Sequence, residues 1–222
     1  ETPVAVSVVV MSYNNARFIG ETIESVLSQQ DVALELIIVD DCSSDDSLEV
    51  VRRYQSDPRL ALEVNTENLG QTGNFNKCVR CGTGRYVVVL GSDDILYPGH
   101  LSALVEALDA DPKLSLAYTQ CTWIDEAGKV LQHIDHRGHP AHSYSGGRDE
   151  VVDLLTFDNY ITPSTVMLRR SMLDDMRLSE GVYAQEGMLA GDWELWIRVA
   201  RHNPDFAFVR RASVGYRIHG NQ

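Results

Sequence analysis

The chain has 222 residues, 44% of them apolar and 23% charged, which suits one ordinary globular domain with a full core and no need of staples. A formal net charge of −13 argues against nucleic acid or an anionic membrane surface as the main partner. Cys42, Cys78, Cys81 and Cys121 form no secreted disulfide framework and point to a reducing compartment.

In chain order, Val4–Met11 is a near-continuous β-branched run and reads as a buried first strand. Ser12-Tyr13-Asn14-Asn15 breaks it, with Asn14 or Asn15 placed to cap a helix over Ala16–Gln30, where Ile19, Ile23, Val26 and Leu27 recur at helical spacing. Leu34–Val39 is a second buried strand, ending in Asp40-Asp41-Cys42-Ser43-Ser44, and a short helix follows over Ser47–Tyr54. Leu60–Val64 is a third strand. The polar turn Asn68–Gly73 leads into a helix carrying Phe75, Cys78 and Val79 on one face; its lone CxxC reads as buried thiols rather than a zinc site.

Tyr86–Leu90 is five bulky residues in a row, a strand buried on both faces, stopped by Gly91 and followed at once by Ser92-Asp93-Asp94. Pro98 then suits the start of a helix that Leu101, Leu104, Val105 and Leu108 carry to about Asp111. Strand and helix alternate four times over residues 1–111, which predicts an α/β fold with a doubly wound, mostly parallel sheet. After Pro112 the pattern becomes mixed. Strands are expected at Leu114–Ile124, Val130–Ile134, Thr162–Leu168, Phe206–Val209 and Ser213–Ile218, with helices at Val151–Phe157 and Gly191–His202. His133, His136, His139 and His142 read as a solvated loop, and Leu178–Ala190 as irregular. The whole reads as one domain, an alternating half (1–111) and a mixed half (112–222). It starts at Glu1 rather than Met and reads as a piece excised from a longer chain, with any membrane-anchoring tail outside it.

Ligands of open α/β sheets sit beyond the carboxyl ends of the strands. Asp93 and Asp94 stand at such an end, and two adjacent acids need a cation or hydrogen-bond donors there; Mg2+ or Mn2+ prefers oxygen ligands and bridges carboxylates to phosphate. A plain β-turn explains Gly91–Asp94 equally well. Asp40-Asp41 at another strand end can accept from a base N–H or a ribose hydroxyl, or can simply cap a turn. Tyr13 can offer a ring to a base. Asp192, at a helix start, is a favoured N-cap and also a candidate general base; both roles are compatible. His219 follows the last strand and reads as structural or as a ligand.

The order of these stretches resembles the inverting glycosyltransferases of family two, with the GT-A fold, of the spore-coat, O-antigen and capsule polysaccharide type. The matching segments are Val6–Asn14, Ser25–Gln30, Glu35–Ser43, Asn68-Leu69-Gly70, Gly84-Arg85-Tyr86 through Asp94, Asp192–Trp196 and Tyr216–His219. The resemblance implies a nucleoside-diphosphate sugar as donor, a saccharide or lipid-linked saccharide as acceptor, and Mn2+ or Mg2+ as cofactor. It implies that Asp41 binds the uracil or thymine edge with Met11 and Tyr13 beside the base. Asp93 would touch the ribose, Asp94 would hold the metal with His219 near it, and Asp192 would be the catalytic base. It implies work on the cytoplasmic side, peripheral to the inner face of the membrane. Where the family often writes Ala-Arg-Asn this chain has Asn74-Phe75-Asn76, so Asn76 and Lys77 stand as the pyrophosphate-side candidates. Two alternatives are a non-catalytic sugar- or nucleotide-binding module of the same fold and a nucleotidyltransferase. The latter would want a Gly-rich basic loop after the first strand, where this chain has Ser12–Ala16.

Overall fold

The computed structural model describes residues 4–135, 143–185, 187 and 190–220. Strands β1 (Val6–Ser12), β2 (Leu34–Asp40), β3 (Leu60–Val64) and β4 (Tyr86–Gly91) form the parallel part, in the order β3-β2-β1-β4. Helices α1 (Ile19–Leu27), α2 (Ser47–Arg52) and α3 (Gly70–Cys81) connect them. Registers Ser12↔Asp40 and Met11↔Gly91 bring the carboxyl ends of β1, β2 and β4 level. Three loops rich in Ser, Asn and Asp therefore emerge side by side.

Beyond β4 the sheet continues as β9 (Val166–Arg169), β6 (Leu116–Ile124), β10 (Phe206–Arg217) and β5 (Ile95–Leu96). The strand β7 (Val130–His133) lies on β6 and β8 (Tyr144–Ser145) on β10. The remaining helices are α4 (His100–Ala110), α5 (Glu150–Phe157), α6 (Arg170–Asp175) and α7 (Gly191–His202). The mixed region belongs to the same sheet. It is continuous with the parallel half, because β9 pairs antiparallel with both β4 and β6 and closes the gap between them. Periodicity shows that a strand exists, not which way it runs.

Side-chain alternation along the strands divides the core. Val8, Val10, Leu36, Ile38, Val88 and Leu90 pack with α1 and α4 on one face. Val9, Ile37, Val39, Val87 and Val89 pack with α3, α5, α6 and α7 on the other, around Trp196. Apolar residues on both sides of a strand are what a doubly wound sheet requires. Among the described residues no helix is long and apolar enough to cross a membrane.

Several boundaries differ from the sequence reading. Neither Asn14 nor Asn15 caps α1, whose N-cap is Phe18 with no side-chain bond. Asn14 instead turns the chain with φ 48° and accepts from the Ser44 amide (2.8 Å), linking two strand-end loops. Thr162–Leu168 is a short 3-10 turn, Pro163–Thr165, before β9 begins. The last two strands are one, β10, whose register shifts between Val209 and Val214 interrupt the alternation. His136, His139 and His142 lie outside the described residues; His133 ends β7 and bonds Thr122 Oγ1 (2.9 Å).

Glu150 opens α5 fully buried, accepting from the Tyr160 hydroxyl (2.6 Å), with Arg148 at 3.9 Å. Burial raises its carboxyl from 4.5 to about 7, with Asp153 adding to the rise. Between those values the unfolded carboxyl ionises while the folded one stays neutral. Unfolding then releases a proton, and stability falls as pH rises through that window. The shift from 4.5 to about 7 corresponds to about 3 kcal/mol at most. Glu150→Gln should therefore raise the melting temperature at pH 8 and leave it nearly unchanged at pH 4; an equal effect at both pH values would refute the assignment.

Candidate active site

The acids predicted from the sequence do gather at the carboxyl ends of the parallel strands, but with divided roles. Asp40 is fully buried and ties β1 to β2, accepting from Ser12 Oγ (3.0 Å), Ser43 Oγ (2.7 Å) and the Ser43 amide (2.8 Å). It is the capped turn. Asp41 is buried as well. Its Oδ1 accepts from Asn65 Nδ2 (2.7 Å) and the Leu69 amide (2.8 Å), and Oδ2 has no partner among the described residues. A carboxylate with one oxygen fixed presents the other in a set direction, the requirement for reading a base edge. Lys77 Nζ donates to Asn65 Oδ1 (2.8 Å), so Lys77 supports Asp41 from behind.

Asn76 departs from its expected place. Its Oδ1 accepts from the amides of Tyr183 (2.8 Å) and Ala184 (2.9 Å), and its Nδ2 donates to the Ala184 carbonyl (3.0 Å). The side chain anchors the 183–184 segment through its carbonyl oxygen and one N–H, a structural role that its helical position did not reveal. Met11 packs beside the α3 and α7 core, and Tyr13 is exposed at the rim.

An open cleft of about 180 Å3 is lined by Tyr13, Arg17, Asp45, Asp93, Glu126 and His219. A larger hollow of about 290 Å3, between Ser28–Val32 and Pro98–Ser102, holds none of the strand-end acids, so size alone does not mark the site. In the first cleft Asp93 Oδ2 meets His219 Nε2 at 2.8 Å. Asp94 lies behind it, almost fully buried; its Oδ1 accepts from the Arg217 amide (2.9 Å) and its Oδ2 from Ser164 Oγ. The sequence places His219 near a metal held by Asp94; in the structure its ring nitrogen meets the neighbouring carboxylate, Asp93. Burial, and then the adjacent Asp93 charge, push the Asp94 carboxyl up to about 7 against the opposing pull of Ser164 and Arg217. Such a pair is short of positive charge, which a divalent cation would supply. A divalent cation would meet Asp93 and His219 at the cleft wall with Asp94 at their back; among the described residues no group of three or more such ligands is preassembled.

Asp192 sits in the first turn of α7, where its Oδ2 accepts from Asn159 Nδ2 (2.7 Å). The segment from Asn159 to Ser164 explains how it relates to the acids. Asn159 holds Asp192, the Ile161 carbonyl accepts from Trp196 Nε1 (3.1 Å), and Ser164 holds Asp94. The five Cα-to-Cα steps from Asn159 to Ser164 span at most about 18 Å, so the helix-borne acid and the strand-borne pair share one neighbourhood. Tyr216 records the same proximity. Its phenol is pushed up to about 12, first by burial and then by Asp94, Asp93, Cys121 and Asp192.

Arg217 was no more than part of a motif in the sequence. Here its side chain is fully buried and organises the cleft. It donates to the carbonyls of Asp93 (2.8 Å), Asp125 (3.1 Å) and Glu126 (3.0 Å) and to Glu21 Oε2 (2.6 Å), and it stacks 4.8 Å from the Phe18 ring. Asn159, Ser164, Asn65 and Arg17 were likewise missed. Nothing in their local sequence distinguishes them from ordinary loop residues.

Comparison with known proteins gives three kinds of match. The family model described as Glycosyl transferase family 2 matches residues 7–177. An uncharacterized glycosyltransferase of Methanocaldococcus jannaschii is 26% identical over 216 residues, covering 96% of this chain and 70% of that one. The succinoglycan biosynthesis protein ExoO of Rhizobium meliloti is 39% identical over 105 residues, covering 47% of this chain and 30% of that one. Among solved structures, S. aureus TarS 1-349 in complex with UDP-GlcNAc superposes with a TM-score of 0.78 at 20% identity, over 98% of this chain and 60% of that one. That likeness carries the fold. This chain spans 60% of the TarS chain and less than a third of ExoO.

Replacing Arg217 by Met should cost about 1–3 kcal/mol, because the carbonyls of Asp93, Asp125 and Glu126 lose their donor while the half-exposed Glu21 can turn to water. Urea denaturation measures it, with Arg217→Lys intermediate. A loss for Arg217→Met below about 1 kcal/mol would show that the guanidinium does not organise the cleft.

Proposed function

The chain belongs to glycosyl transferase family 2, and from that membership we propose that it moves a sugar from a nucleoside-diphosphate donor, UDP- or dTDP-linked, to a hydroxyl of a glycan or lipid-linked acceptor. The donor class is supported by the UDP-GlcNAc complex of TarS and the acceptor class by the succinoglycan relative. The observation that carries the reading is the 159–164 segment, which binds Asp192 at one end and Asp94 at the other.

In this reading Asp41 receives the base N–H through its unpartnered Oδ2, beside Tyr13 and Met11. Asp93 and His219 face the ribose and diphosphate. A bound Mn2+ or Mg2+, held by Asp93 and His219 with Asp94 behind, would offset the negative charge of the departing diphosphate. Asn159 fixes one oxygen of Asp192 and leaves the other to take the proton of the acceptor hydroxyl. The acceptor oxygen then bonds to the anomeric carbon as the bond to the diphosphate oxygen breaks. One displacement inverts configuration and needs no enzyme nucleophile. All four cysteines are free, which supports work in a reducing compartment, at the inner face of a membrane if the acceptor is lipid-linked.

A non-catalytic nucleotide-sugar-binding module is the second reading. It is favoured by the lack, among the described residues, of a preassembled set of three metal ligands. Donor turnover separates the two. With Mn2+ and a panel of UDP- and dTDP-sugars, wild type should transfer or hydrolyse sugar, and Asp192→Asn should fall by about 10²–10⁴ with nucleotide affinity kept. If wild type and mutant both turn over no donor while still binding nucleotide, the module reading stands instead. Asn159→Ala should lower kcat several-fold at unchanged donor KM; a change confined to KM would remove Asn159 from the proton step.

A further inference from the structure

The cleft is lined by Asp45, Asp93 and Glu126, yet its proposed occupant carries a diphosphate. Among the described lining residues the guanidinium belongs to Arg17, on the loop between β1 and α1. Arg17 Nη1 is paired with Glu126 Oε2 at 2.6 Å, and both side chains are substantially exposed, 63% and 45%. Glu126 lies in the β6–β7 turn, whose backbone Arg217 grips, so the pair bridges the mouth between two fixed walls. An exposed ion pair of this kind is worth little. A diphosphate carries more negative charge than the single Glu126 carboxylate and can meet the guanidinium with two parallel N–H groups. A diphosphate entering the cleft can therefore take Arg17 from Glu126.

We propose that Arg17 is the diphosphate-binding cation of this site and that Glu126 holds it across the mouth until the donor arrives. The inference rests on the proposed donor class, and it adds an exchange of partners: the Arg17–Glu126 pair opens and an Arg17–diphosphate pair forms. The Phe18 ring, 5.0 Å from the Arg17 guanidinium, lies beside the side chain at the cleft.

Calorimetric titration in Mn2+-containing buffer tests it, with UDP, dTDP and GDP as probes and uridine, thymidine and guanosine as phosphate-free controls. For whichever nucleotide binds wild type, Arg17→Ala should raise Kd about tenfold or more while affinity for the matching nucleoside is unchanged. Arg17→Lys should recover part of the loss, and Glu126→Gln should bind the diphosphate at least as tightly as wild type. Melting temperatures should stay near wild type throughout, since the pair is exposed. Nucleotide binding by Arg17→Ala indistinguishable from wild type, an equal loss for the nucleoside, or weaker binding by Glu126→Gln overturns this inference alone. A wild type that binds none of the three diphosphates overturns the donor assignment, and this inference with it.

Discussion

A fully buried guanidinium is costly unless its donors are answered, and Arg217 is answered from four directions. Its partners are the Asp93 carbonyl, the carbonyls of Asp125 and Glu126, and the Glu21 carboxylate on α1. Its backbone amide meanwhile holds Asp94 Oδ1. The end of β10, the loop after β4, the β6–β7 turn and the first turns of α1 are thereby fixed relative to one another. Those four pieces are walls of one cleft. The charge that secures the walls also lies beside two acids that would otherwise repel.

The opposite side of the site depends on a different device. The chain from Asn159 to Ser164 runs between α5 and β9 and carries polar groups at each end, one for Asp192 and one for Asp94. Between them the Ile161 carbonyl is pinned by the buried Trp196. A helix-borne acid and a strand-borne acid are thus set by one short covalent segment. Their spacing need not rely on long-range packing alone. Family membership is consistent with this arrangement.

Much of the frame was legible from pattern. Val6–Ser12, Leu34–Asp40 and Tyr86–Gly91 are strands because β-branched and bulky residues run unbroken and stop at polar turns. The acids after them reach one edge because parallel strands joined by helices end on the same side. Loop details were less legible. Asn14 looked like a cap and proved to be a left-handed turn residue bonded across to Ser44, because the competing partner lies thirty residues away. Asn76 looked like a ligand and proved to anchor Tyr183 and Ala184. Lys77 looked like a phosphate contact and proved to brace Asn65 behind Asp41.

The sequence by itself determined the alternation of strand and helix, the placing of Asp41, Asp93 and Asp94 at strand ends, and the helix start that bears Asp192. These follow from local periodicity and from the few residues at which it breaks. The tertiary structure decided that β9 would run antiparallel and join both halves into one sheet, and that His219 would meet Asp93 rather than Asp94. It also decided that Arg17 would face Glu126 across the cleft. The physical reason is range. A hydrophobic period is written in neighbouring residues, whereas the partner of a polar group is whichever donor or acceptor the finished fold brings within about 3 Å.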